Sequence, residues 1–127
     1  MTTSVQDLVA AARSRIKEIS PAELQAWDRN EFVLIDVREP GEYATGHISG
    51  AANVPRGVLE FRIGAHLASD AERKKTNSDC SANIVIYCQG GGRAALATES
   101  LIQLGYTNVR SLAGGIDAWR AAQLSVE

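Results

Sequence analysis

Ile84-Val85-Ile86-Tyr87-Cys88-Gln89-Gly90-Gly91-Gly92-Arg93-Ala94 is an apolar run that ends in a cysteine and passes through three glycines into an arginine. Four apolar residues in succession suit a strand buried on both faces, as in a parallel sheet. Gln89 to Gly92 then predicts a tight loop. Ala94 to Leu104 predicts a helix, stopped by Gly105 in the left-handed capping position. Cys88 therefore falls at the carboxyl end of a strand and just before a helix, where open α/β sheets bind their ligands.

Working outward, the alternation repeats. Phe32 to Ile35 is a second buried run, Ala52 to Val54 a third that ends at Pro55, and Val109 to Leu112 a fourth. Ser20-Pro21-Ala22-Glu23 opens a helix that runs to about Asp28, with Ser20 as cap, Pro21 in the first turn and Glu23 closing a capping box. Glu42 to Thr45 reads as one helical turn after Pro40-Gly41. Val58, Leu59, Ile63 and Leu67 suggest another helix, and Ala68 to Ala82 reads as a polar surface excursion. Gly114-Gly115 turns the chain into a final helix from Ile116 to about Gln123. Upstream, Ser4 and Asp7 start a helix with Val5, Leu8, Val9 and Ala12 at helical spacing. It ends near Arg15, since Ile16 to Ile19 equally suits a short strand. Strands alternating with helices imply an α/β domain with a parallel sheet covered on both faces.

Bulk properties set outer limits. The chain has 127 residues, enough for one compact domain without a disulfide or metal. Hydrophobic residues make up 45% and charged residues 22%, with a net charge of −2. That balance gives no electrostatic footprint for nucleic acid or an anionic membrane. No apolar run approaches the roughly 20 residues that span a bilayer. Residues 1–15 lack the features of an export signal, so the cytoplasm is the expected compartment, with Cys80 and Cys88 reduced. His47 and His66 lack metal-ligand spacing, and no metal site is expected. Arg73-Lys74-Lys75 reads as a solvated charge run, and Trp27 and Trp119 as packing residues on helices.

The chemistry concentrates at Cys88. Three consecutive glycines let successive amide N–H groups converge on one point, forming an anion-binding nest. The following helix adds its positive end, and Arg93 a permanent charge with a planar donor fork. Each feature favours thiolate over thiol, so activation by a histidine base is not required. Cys88 is read as a nucleophile and Gln89, Gly90, Gly91, Gly92 and Arg93 as its substrate-binding loop. Cys80, in a polar stretch without such a cradle, reads as an incidental surface thiol. Asp36 and Arg38 follow a buried strand and should lie at the same sheet edge in a supporting role. Arg38 could guide an anion, but an internal ion-pair network that pins the loop is the favoured reading. His47 is likewise read as a structural hydrogen-bonding residue.

Three stretches now resemble the rhodanese family of sulfurtransferases in its single-domain form. They are Leu34 to Pro55 (LIDVREPGEYATGHISGAANVP), Val85 to Ala95 around the cysteine, and Leu112 to Trp119 (LAGGIDAW). With Ile19 to Leu24 the likeness spans about residues 16 to 124. It implies a central, mainly parallel sheet of about five strands flanked by helices on both faces. Ile16 to Ile19 then becomes the first strand, residues 1–15 a helical extension and 16–127 the rhodanese-like domain. The implied reaction is a two-step sulfur transfer without cofactor or metal. A small-molecule donor such as thiosulfate leaves sulfur on Cys88 as a persulfide, and a thiol, cyanide or a sulfur-relay protein partner removes it.

Some members place basic residues directly after the cysteine to grip thiosulfate, whereas Gln89 and Gly90 are uncharged. The segment from Arg56 to Ala82 is long for a minimal domain and could shape the pocket mouth or a partner surface. A cysteine-based phosphatase of related fold is the rival reading. It needs a longer loop between Cys and Arg than the four residues present here. A protein-directed sulfur carrier is the alternative nearest to the main one.

Overall fold

The computed structural model describes residues 3–74 and 78–127, without the side chains of 72–74. Five strands, β1 (Lys17–Ile19), β2 (Val33–Asp36), β3 (Ala52–Asn53), β4 (Asn83–Tyr87) and β5 (Asn108–Leu112), form one parallel sheet in the order β1-β5-β4-β2-β3. Six helices connect and cover it: α1 (Val5–Arg13), α2 (Pro21–Ala26), α3 (Pro40–Ala44), α4 (Leu59–Lys74), α5 (Gly92–Gln103) and α6 (Gly115–Ala121).

Strand alternation sorts the core onto two faces. Ile35, Ile84 and Ile86 point to one side, where they meet Leu59, Ile63 and Leu67 of α4 and Ala94, Ala97 and Leu101 of α5. Leu34, Val85, Tyr87 and Leu112 point to the other, against Leu24 of α2 and Ile116 and Trp119 of α6. The sheet is therefore covered on both faces, as its continuous apolar strands require. Cys88, one step past β4, continues the α4/α5 side.

The capping signals act as expected. Ser20 Oγ accepts from the Glu23 N–H at 3.1 Å, and Glu23 Oε1 accepts from the Ser20 N–H at 3.1 Å. Ser4 and Asp7 form the same reciprocal box on α1. Residues 17–19 are strand, which settles the ambiguity at Ile16 to Ile19.

The excursion expected from Ala68 is corrected. Helix α4 continues to Lys74, and Asp70 within it is buried. A polar run does not end a helix when its buried stripe continues through Leu67 and Asp70. The charge run Arg73-Lys74-Lys75 lies outside the described side chains. Helix α2 stops at Ala26 rather than Asp28, leaving Trp27 just beyond it, stacked edge-on to Phe32 with ring centroids 5.7 Å apart. Among the described residues no helix is long and apolar enough to cross a membrane.

Candidate active site

The carboxyl end of β4 delivers Cys88 to the start of α5. Gly91, at the N-cap, takes φ +117°, a region that favours glycine, and so turns its own N–H inward. The Gly91 N–H donates to Cys88 Sγ at 3.1 Å and the Ala94 N–H at 3.4 Å. Both belong to the first turn of α5, whose N–H groups have no partner within the helix. The sulfur thus replaces a capping side chain at the positive end of a twelve-residue helix.

The loop's outward carbonyls are tied down from behind. The Ile116 N–H donates to the Cys88 carbonyl at 2.9 Å and the Asp117 N–H to the Gln89 carbonyl at 3.1 Å. Those donors are the first turn of α6. Gly115 lets them approach: a Cβ there would stand 2.5 Å from both carbonyl oxygens. Helix α6 holds the carbonyls on one side, and the N–H groups are left facing the sulfur. The motif Leu112 to Trp119 contained this support, although no site role was read from it.

Asp36 and Arg38 form the expected network. Both are buried, at 0% and 1% exposure. Arg38 Nη2 donates to Asp36 Oδ2 at 2.8 Å and to the Gly46 carbonyl at 2.7 Å, while its Nε lies 3.1 Å from both Asp36 oxygens. Its Nη1 reaches Gln89 Oε1 at 3.4 Å, and the Gln89 amide donates to Asp117. Gln89 therefore links the loop to both supporting elements, and its side chain is not aimed at the sulfur.

Arg93 lines the site, but its fork is engaged by Glu42 of α3. Nη1 donates to Oε1 at 2.7 Å and Nη2 to Oε2 at 3.0 Å. These hydrogen bonds hold the Glu42 carboxyl down at about 2 and raise Arg93 above its ordinary value. Glu42 was absent from the sequence-derived site. Its signal was available only as one acid in a charged stretch, with nothing to couple it to a residue beyond β4. His47 stacks on Tyr43, with centroids 3.8 Å apart, and its Nδ1 lies 3.2 Å from the Tyr43 carbonyl.

Cys88 is 1% exposed and forms the floor of a cavity of about 520 Å³. Gly90, Gly92 and Arg93 supply one wall. The other comes from α1, through Val5, Gln6, Val9, Ala10 and Arg13, with Leu96 of α5 between them. The N-terminal helix, expected only as an extension outside the core, thus borders the nucleophile. None of its described lining residues comes from 56–82, the segment expected at the pocket mouth. Among the described residues no group of acidic, histidine and cysteine side chains could hold a metal.

Comparison with known proteins agrees with this geometry. The thiosulfate sulfurtransferase GlpE of Ectopseudomonas mendocina is 32% identical over 108 residues, covering 85% of this chain and 88% of its own. The human single-domain sulfurtransferase TSTD1 superposes with a TM-score of 0.69 at 31% identity, over 82% of this chain and 95% of its own. A protein of Rhodopseudomonas palustris, described as of unknown function and a possible tyrosine phosphatase, superposes with a TM-score of 0.82 at 29% identity, over 100% of this chain and 96% of its own. The rhodanese-like domain family matches residues 20–122, which takes in strands β2 to β5, the cysteine loop and α6. On sequence and architecture together, the chain belongs to the rhodanese-like domain family.

Proposed function

We propose that the protein is a sulfurtransferase that carries sulfane sulfur as a persulfide on Cys88. The observation that carries this reading is the convergence of the Gly91 and Ala94 N–H groups on Sγ at 3.1 and 3.4 Å, at the floor of a cavity. Backbone donors fixed on a rigid helix stabilise a sulfur anion without a base. A donor such as thiosulfate presents its outer sulfur to the Cys88 thiolate. The new S–S bond forms as the donor's own S–S bond breaks, and sulfite departs with the electron pair. The terminal sulfur then goes to a thiophilic acceptor, a small thiol or cyanide, or to a partner protein in the sulfur-carrier variant. The curated relative named thiosulfate sulfurtransferase supports thiosulfate as a first donor to test. Asp36, Arg38 and Gln89 hold the loop, and Arg93 borders the donor.

The phosphatase reading has one observation in its favour, the description of the Rhodopseudomonas neighbour. Against it stand the four-residue gap from Cys88 to Arg93 and the engagement of Arg93 by Glu42. A phosphate-wrapping loop requires a wider ring of donors and a free arginine fork.

Incubation with thiosulfate should add one sulfur atom to the intact mass, and cyanide should then release thiocyanate. Cys88→Ser should abolish both. No mass gain, or full activity in Cys88→Ser, would overturn the proposal. Hydrolysis of an aryl phosphate in a protein that gains no sulfur would favour the phosphatase.

A further inference from the structure

A second cavity, of about 360 Å³, is lined by Arg15, Lys17, Ile102, Tyr106 and Val109 together with Gly105 and Thr107. It lies at the opposite end of the sheet from the cysteine. Lys17 and Val109 stand at the amino ends of β1 and β5, whereas Cys88 follows the carboxyl end of the parallel strand β4. Its volume falls in the range of small organic ligands. The end of α5 sets its shape. The Gly105 N–H donates to the Ile102 carbonyl at 2.9 Å and the Tyr106 N–H to the Leu101 carbonyl at 3.1 Å, with Gly105 at φ +106°. That paired ending needs a residue in the left-handed region, which glycine supplies. It leaves Tyr106 packed partly on the core, and Ile102 41% exposed. The Thr107 N–H donates to the Cys80 carbonyl at 2.9 Å and fixes the far side of the turn. The apolar lining is therefore formed before any ligand arrives.

Two cations line the same cavity. Lys17 makes no hydrogen bond or ion pair among the described residues. Arg15 bonds Glu99 through Nε alone, which leaves both Nη groups without a partner among the described residues. Arg15, Lys17 and Glu99 together leave one positive charge beside exposed apolar surface. The carboxyl end of α5 adds partial negative charge there. That balance suits a singly charged anion and disfavours a dianion.

We propose that this cavity is a second ligand site and that it takes an apolar monocarboxylate. The carboxylate lies between Lys17 and the Arg15 Nη groups, and the apolar body lies along Ile102, Tyr106 and Val109. The site shares no lining residue with the cysteine cavity and uses no chemistry at Cys88. Helix α5 separates the two: its first turn donates to Sγ, and its last turn supplies Ile102, twelve residues or about 18 Å along the axis.

Amide NMR shifts in the full chain locate and measure the binding. Hydrocinnamate should shift the Lys17, Gly105, Tyr106 and Thr107 amides saturably, with a Kd of about 1 mM. Hydrocinnamyl alcohol keeps the ring and lacks the charge. It should bind about tenfold more weakly, since each exposed ion pair contributes about threefold. Acetate keeps the charge and lacks the ring, and should not saturate over the same range. Lys17→Ala should weaken hydrocinnamate about threefold and leave the alcohol unchanged, whereas Ile102→Ser should weaken both about fivefold. Lys17 and Ile102 are exposed, so amide signals away from the site should keep their native positions in both variants. Cys88→Ser should bind hydrocinnamate as the native protein does. Equal binding of acid and alcohol, unchanged affinity in Lys17→Ala, or shifts confined to Cys88 to Ala94 would overturn the site. Tighter binding of phenyl phosphate than of hydrocinnamate would overturn the assignment to a monocarboxylate.

Discussion

At the residue scale, the site depends on charges placed where water cannot reach them. Arg38 is buried and its countercharge is Asp36. Removing one partner of a buried pair leaves the other uncompensated. Asp36→Asn should destabilise the domain by about 3–5 kcal/mol, read from the shift in urea midpoint. The Glu42–Arg93 pair is more exposed and behaves differently. Glu42 has a folded value depressed to about 2, so the folded state binds its proton less readily than the unfolded chain. The stabilisation from this pair is complete above the unfolded carboxyl range, near about pH 4.3, and is lost as pH falls from there towards about 2. Glu42→Gln should flatten that part of the stability profile, measured by thermal melts between these limits. The contribution is small, since both side chains are more than a third exposed and solvent screens them. Cys88 and its loop were legible because they are contiguous in sequence. Glu42 was not, because its partner lies 51 residues away.

At the element scale, the cysteine loop is a product of two helix starts. Helix α5 offers N–H groups to Sγ, and α6 restrains the carbonyls of the same loop. The junction has no room at Gly115, where φ is +61° and an added Cβ would meet two carbonyl oxygens at 2.5 Å. Gly115→Ala should displace the loop and lower sulfur loading from thiosulfate by about tenfold or more, since misplacement by about 1 Å costs that much in oriented reactions. Gly57→Ala is the control. Nothing lies within 4 Å of the added atom, so loading should be unchanged and stability should move by about 0.5 kcal/mol or less. A rapid-quench loading assay and a urea titration on both variants check the pair. Helix boundaries set by caps were legible in the sequence. The extent of α4 was not, because polar residues beyond Leu67 conceal a helix whose buried stripe is completed only by packing.

At the scale of the whole molecule, α1 lies outside the sheet yet borders the site. Of its residues only Ala12 is buried, and it packs on α5 without entering the sheet. A chain of residues 16–127 should therefore retain a cooperative thermal transition. Its midpoint should fall by about 5 °C or less, as expected for loss of about 1 kcal/mol in a domain of this size. Calorimetry on the shortened chain checks this, and loss of the transition would make α1 part of the core.

Sequence alone determined the alternation of strands and helices, the parallel sheet and the place of Cys88 at its carboxyl edge. Those features follow from local periodicity, capping residues and three adjacent glycines, each of which acts over a few residues. Tertiary structure decided which cations stay available to a ligand. Arg38 and Arg93 acquire carboxylate partners, and Arg13, from a helix outside the sheet, comes to stand over the cysteine loop. Pairing of charges depends on distances through space, and the linear order of residues does not contain those distances until the sheet has brought its edge together.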